Sequence, residues 1–189
     1  MKRKTLALLL CAGLLLTACT AAPTHTTPPT TTAAPTETTQ PFDLAEYKAT
    51  VQASADKIAD GKAIMEYTAY VEAVYLDSLL SVSGTVSTDK LLKYASEKLT
   101  TEIGVTMEIM QNHFDSITSE YKTIILAPIS GAEAEEIDRL YRELYLAYSD
   151  LYRLATDPPT DFDKLTETRQ TACEAIDRCM QQLGIFLEQ

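Results

Sequence analysis

From residue 42 onward, apolar positions recur three and four residues apart in long stretches, and no run alternates with the period of two that a half-buried strand needs. Asp43 followed by Glu46 makes a capping box, with Phe42 and Tyr47 placed as a hydrophobic staple, so a helix is predicted to start here. Leu44, Tyr47, Val51, Ile58 and Met65 mark its inner stripe. Gly61 is an expected weak point, because glycine costs up to about 1 kcal/mol inside a helix. Beyond it, Ile64 to Val82 is apolar nearly all round, with Glu66, Glu72 and Asp77 scattered rather than gathered on one face. A segment of that kind wants partners on several sides. Gly84 is expected to end it.

A second helix is predicted from a cap at Ser87 or Thr88 to about Leu126, where Pro128 forces the chain out of the helical region. Leu92, Ala95, Leu99, Ile103, Met110, Phe114, Ile117, Tyr121 and Ile124 mark its inner stripe. Ser130 with Glu133 is expected to cap the third helix, with Glu135–Arg139 and Asp138–Arg142 as outward ion pairs. Its core stripe is Ile137, Leu140, Leu144, Leu151 and Leu154. Alongside runs a tyrosine strip of Tyr141, Tyr145, Tyr148 and Tyr152, confined to about 60° of the helix surface. Thr160 and Asp163 open the fourth helix, whose inward residues are Phe162, Leu165, Ala172, Ile176, Met180, Leu183 and Leu187.

Short connections make consecutive helices antiparallel neighbours, so the expected fold is all-α, an up-down four-helix bundle with two long and two shorter helices. The lengths do not match: helices of about 40 residues reach ~60 Å and those under 30 reach ~40 Å. The hairpin from Tyr70 to Leu99 would then project uncovered, unless a bend at Gly61 or Gly104 folds it back or another chain meets it.

The first 41 residues are of another kind. Lys2, Arg3 and Lys4 precede an apolar run from Leu6 to Leu16, which has signal-peptide length and is too short to span a membrane. The run ends Leu16-Thr17-Ala18-Cys19, an order that resembles the lipobox of bacterial lipoproteins. The resemblance implies that signal peptidase II removes residues 1–18, and that Cys19 receives a diacylglyceryl group and becomes the lipid-bearing amino terminus. Ordinary secretion with a cut near Thr20 is the alternative. Residues 20–41 hold ten Thr, five Pro and four Ala, with His25, Glu37 and Gln40 besides. That composition cannot bury enough apolar surface to fold and reads as a stalk for the helical domain of residues 42–189. Such stalks are similar to those of Gram-positive lipoproteins.

Charge and chemistry narrow the function. Lys2, Arg3 and Lys4 account for three of the 16 basic residues, which leaves 13 against 27 acidic ones, a mature charge near −14. That balance argues against nucleic acid as a partner. Cys173 and Cys179 are six apart on one predicted helix, about 9 Å of rise, beyond the ~7 Å reach of a disulfide. Two free thiols are expected. His113 is the lone histidine of the domain, and no Glu-x-x-His, Gly-x-Ser-x-Gly or phosphate loop occurs. Met107, Met110 and His113 offer soft ligands for a metal or haem alternative, and an envelope hydrolase with an unrecognised site is the other. The expectation is a non-enzymatic binding or interaction module of the cell envelope, anchored outside the cytoplasm through Cys19. It needs no cofactor and would meet a protein or glycan partner through Tyr141, Tyr145, Tyr148 and Tyr152.

Overall fold

A computed structural model describes residues 42–83 and 85–188. The signal segment, Cys19, the stalk and Gly84 lie outside the described residues, and so do the expectations attached to them. Within the described residues every regular element is helical, as the apolar periodicity requires. In chain order they are α1 (Leu44–Ser83), α2 (Thr88–Lys98), a π-helical turn (Leu99–Ile103), α3 (Met107–Ile124), α4 (Ala132–Thr156) and α5 (Phe162–Leu187).

Helix α1 starts where the capping signature places it. Asp43 Oδ1 accepts from the amides of Ala45 at 2.9 Å and Glu46 at 3.2 Å, and the Phe42 and Tyr47 rings meet at 5.7 Å. The helix then runs 40 residues without a break. Gly61 is not a bend. It lies buried on the inner side of α1, near a line of fully buried Val51, Ile58, Met65 and Leu76. Burying each such side chain contributes roughly 1.5–3 kcal/mol.

Helix α1 touches every other helix. Ser54 meets Tyr141 of α4 at 2.7 Å, Lys57 pairs with Glu120 of α3, Lys62 pairs with Asp177 of α5 at 2.6 Å, and Tyr75 stacks on Tyr94 of α2 with centroids 4.1 Å apart.

The single second helix expected from Ser87 to Leu126 is in fact two helices joined by a break. The Gly104 and Val105 amides both turn back to the Leu99 carbonyl, which widens the last turn, and Gly104 adopts the left-handed conformation at φ 69°. Thr100 and Thr101 add to the loosening, since their hydroxyls bond to the carbonyls of Ser96 and Glu97. Thr106 then restarts the helix by accepting from the Ile109 amide at 3.2 Å. Of the two expected hinge positions, it is therefore Gly104 that interrupts the chain.

Three local expectations shift. Helix α4 begins after Gly131, whose φ of 97° takes the N-cap place, so Ser130 makes no capping box. Helix α5 is capped by Asp161, which accepts from the Lys164 amide at 2.8 Å, one residue later than Thr160. Arg142 pairs with Asp138 at 2.6 Å as expected, but Arg139 takes Glu136 and Glu143 rather than Glu135.

Two apolar clusters result. The larger joins α1, α3, α4 and α5 around Ile58, Met65, Ile117, Leu140, Leu144 and Ile176. The smaller, at the α2 end, gathers Ala69, Ala73, Leu76, Leu91, Leu154 and Leu165. Leu154 and Leu165 thus cover the hairpin that was expected to project only at Ala73, Leu76 and Leu91, and Thr88 bonds across to the Pro158 carbonyl at 3.2 Å, while Val74, Leu80 and Val82 stay exposed.

Gly104 gives a clean test of the break. A Cβ there would meet nothing within 4 Å, so only the left-handed backbone opposes a side chain. Gly104→Ala is expected to cost about 1 kcal/mol, read as a fall of about 2–4 °C in a thermal melt. An unchanged melt would show that φ at this position is not constrained.

Candidate functional site

Tyr141, Tyr145, Tyr148 and Tyr152, the candidate contact residues, all lie on α4. Tyr141 and Tyr148 are fully buried, and Tyr145 and Tyr152 are half-buried. Of the four tyrosines expected as a contact strip, Tyr145 and Tyr152 thus keep part of their surface open, and Tyr141 and Tyr148 do not. The physical reason lies on α3, where Phe114 and Tyr121 stand seven residues apart, like Tyr145 and Tyr152 on α4. Tyr121 stacks on Tyr145 and Phe114 on Tyr152, each pair with centroids 3.8 Å apart and rings within 8° of parallel. Phe114 also meets Tyr148 at 5.8 Å, and Tyr121 meets Tyr141 at 6.0 Å. The strip is one side of an aromatic interface between α3 and α4. The matched spacing of seven was the signal in the sequence that pointed to it.

Each hydroxyl of the strip has a partner. Tyr141 bonds to the Ser54 hydroxyl at 2.7 Å, Tyr145 to the Thr118 hydroxyl at 3.0 Å, Tyr148 to His113 Nδ1 at 3.1 Å, and Tyr152 donates to Gln111 Oε1. A buried phenol left unbonded would lose about 1–3 kcal/mol, so these partners are what let tyrosine replace phenylalanine here. Burial pushes the Tyr141 phenol up to about 12 and that of Tyr148 higher still, so both stay protonated at any ordinary pH.

The Tyr148–His113 bond lies directly against Gly61. A Cβ on residue 61 would overlap the Tyr148 hydroxyl and stand 2.7 and 2.8 Å from His113 Cε1 and Nδ1. Glycine is thus required by close approach, where α1, α3 and α4 converge. His113, the lone histidine of the domain, is held within this packing. Met110 of the soft-ligand alternative is buried, with its sulfur 3.9 Å from the Thr68 hydroxyl, so Met110 and His113 are engaged with separate partners. Among the described residues no group of three or more His, Cys, Asp or Glu side chains is placed to hold a metal ion.

Sequence reasoning missed Glu72. It is fully buried on α1, and neither carboxylate oxygen has a hydrogen-bond partner. Burial raises its pKa from 4.5 to about 9, which keeps the carboxyl neutral at pH 7. The other buried polar residues, Ser54 and Thr68, are both bonded. Cys173 and Cys179 are free and buried, as their spacing implied. Burial pushes the Cys173 thiol up to about 11 and raises Cys179 as well, which makes both poor nucleophiles. An open groove of about 690 Å³ at the α4–α5 turn mixes Asp150, Asp157 and Asp161 with Arg153 and Lys164. Their opposed charges select for no one ligand class.

Helix propensity alone would have Gly61→Ala stabilise α1 by up to about 1 kcal/mol. The close approach reverses that sign. The substitution is expected to destabilise the domain by about 1–3 kcal/mol, the range for overpacking. In a Tyr148→Phe background, where the overlapping hydroxyl is gone, the same change should cost less. Chemical denaturation of the four proteins of this cycle measures it, and a stabilising Gly61→Ala would refute the contact. No family model, no curated protein and no solved structure matches this chain.

Proposed function

We propose that this chain is a lipid-anchored lipoprotein of the cell envelope, whose helical domain acts outside the cytoplasm by binding rather than by catalysis. The observation that carries the reading is Leu16-Thr17-Ala18-Cys19 behind a basic and then apolar leader. Two acyl chains on one cysteine anchor stably, since each buried methylene contributes about 0.8 kcal/mol. No described helix is long and apolar enough to cross a membrane, so attachment of this domain falls to the lipid. The 22 residues between Cys19 and Phe42, rich in Thr and Pro, would hold it up to ~70 Å away.

The binding role is supported by the use the domain makes of its chemistry. His113, both thiols and the α4 tyrosine hydroxyls are engaged in packing or buried within it. We also read the architecture as an up-down-up-down four-helix bundle whose second member is broken at Gly104. The contacts that support this are ordered along the helices. Tyr67–Glu102 and Tyr75–Tyr94 run in opposite senses on α1 and its neighbour, as do Lys62–Asp177 and Tyr70–Arg169, whereas Ser54–Tyr141 and Gly61–Tyr148 run in the same sense.

The anchor is tested by Cys19→Ala. The native protein is expected in the membrane fraction and labelled by a palmitate analogue, and the variant as uncut precursor or released protein without label. A Cys19→Ala chain that is cut and retained on membranes as before would sink the proposal.

A further inference from the structure

Glu72 lies where the fold is least continuous. On α1, Tyr67 bonds to Glu102 of the π turn, and Tyr75 stacks on Tyr94 of α2. The chain from residue 94 to residue 102 therefore runs alongside the stretch of α1 that holds Glu72. Leu91, Ala95 and Leu99 are the buried residues of α2 and the π turn, each with no exposed surface. On that stretch of α1 the Glu72 carboxyl is fully buried, with both oxygens unpartnered.

We propose that α2 and the π turn form a flap over α1, closed while the Glu72 carboxyl is neutral and released when it ionises. A neutral acid can remain in an apolar site, but an unpaired carboxylate cannot without water or a cation. No charged group offsets that penalty in the closed state, since burial alone accounts for the raised pKa of Glu72. Tyr94 stacks on Tyr75, and Lys98 of α2 pairs with Glu102 of the π turn. Arg169 of α5 lies over the Tyr70 ring with its Nε buried and unbonded, and His113 of α3 and Tyr148 of α4 bond to each other at Gly61, about three helical turns from Glu72. Ionisation must therefore be met by admitting water, and the junction opens where it is weakest.

That place is the flap. Helix α2 has 11 residues, too few to persist once detached. Its main contacts are with α1 and the π turn that continues it, and that turn ends at left-handed Gly104. Helices α4 and α5, of 25 and 26 residues, are held by the larger cluster instead. The direction follows from burial. Because the folded pKa is raised from 4.5 to about 9, the stability of the closed flap is fully present below about 4.5 and is lost as pH rises through about 9.

Methyl NMR of the full chain in detergent, titrated from pH 5 to pH 10, tests this directly. Leu91 and Leu99 methyls are expected to shift or broaden with a midpoint near pH 9, while those of Leu140 and Leu144 stay unchanged. In Glu72→Gln and Glu72→Leu the Leu91 and Leu99 signals should be flat with pH. The same titration in the variants would overturn the proposal, as would flat Leu91 and Leu99 signals in the native chain. So would all four leucines moving together, which would mean global unfolding. Should both variants fail to fold, the contrast between the two leucine pairs in the native chain still decides.

Discussion

The constraint on which the domain depends is the space at Gly61. Helix α1 passes so near α3 and α4 that only a hydrogen fits where the Tyr148 hydroxyl and His113 meet. Once that contact is made, register follows. Seven residues earlier on both α1 and α4, Ser54 reaches Tyr141, and seven residues further along α3 from His113, Glu120 reaches Lys57. Seven residues are about two helical turns, so the Ser54–Tyr141 bond repeats the alignment set at the glycine, and Lys57, one turn before Gly61, ties α3 to the same part of α1. A penalty of up to about 1 kcal/mol in helix propensity is offset by the packing of three helices.

The aromatic interface explains why tyrosine is used so heavily on α4. Flat rings stacked at 3.8 Å fill the space between α3 and α4, and each such pair adds about 0.5–1.5 kcal/mol beyond its buried area. The hydroxyls then tie the same rings to Ser54 on α1 and to Gln111, His113 and Thr118 on α3. Apolar contact and hydrogen bonding come from one set of side chains, so shifting α4 would break both at once.

The α2 end is built differently. Its cluster is small, with Ala69 and Ala73 among its six buried members, and beside it runs a helix broken by the π turn and Gly104. Native domains open locally where buried contacts are few. An unbonded carboxyl at that place adds a penalty where there is least packing to absorb it. The domain thus joins a tightly registered body to an end whose seating depends on one protonation state.

Helices were legible in the sequence because their signals are local. Asp43, the 3.6-residue apolar stripes and Pro128 act on the residues beside them, and the spacing of Cys173 and Cys179 excludes a bridge through helix geometry alone. The tertiary structure decided what depends on residues far along the chain. Whether Gly61 is a flaw or a close approach turns on Tyr148 and His113, 87 and 52 residues away. The four tyrosines occupy one angular sector of α4 in either case, but only the docking of α3 settles that this sector faces inward. Glu72 could not be read as buried, because a stretch apolar on every side has no polar face to mark which way is out. A periodic pattern gives the angle of a side chain about its own helix, and burial is set by the helix that crosses it.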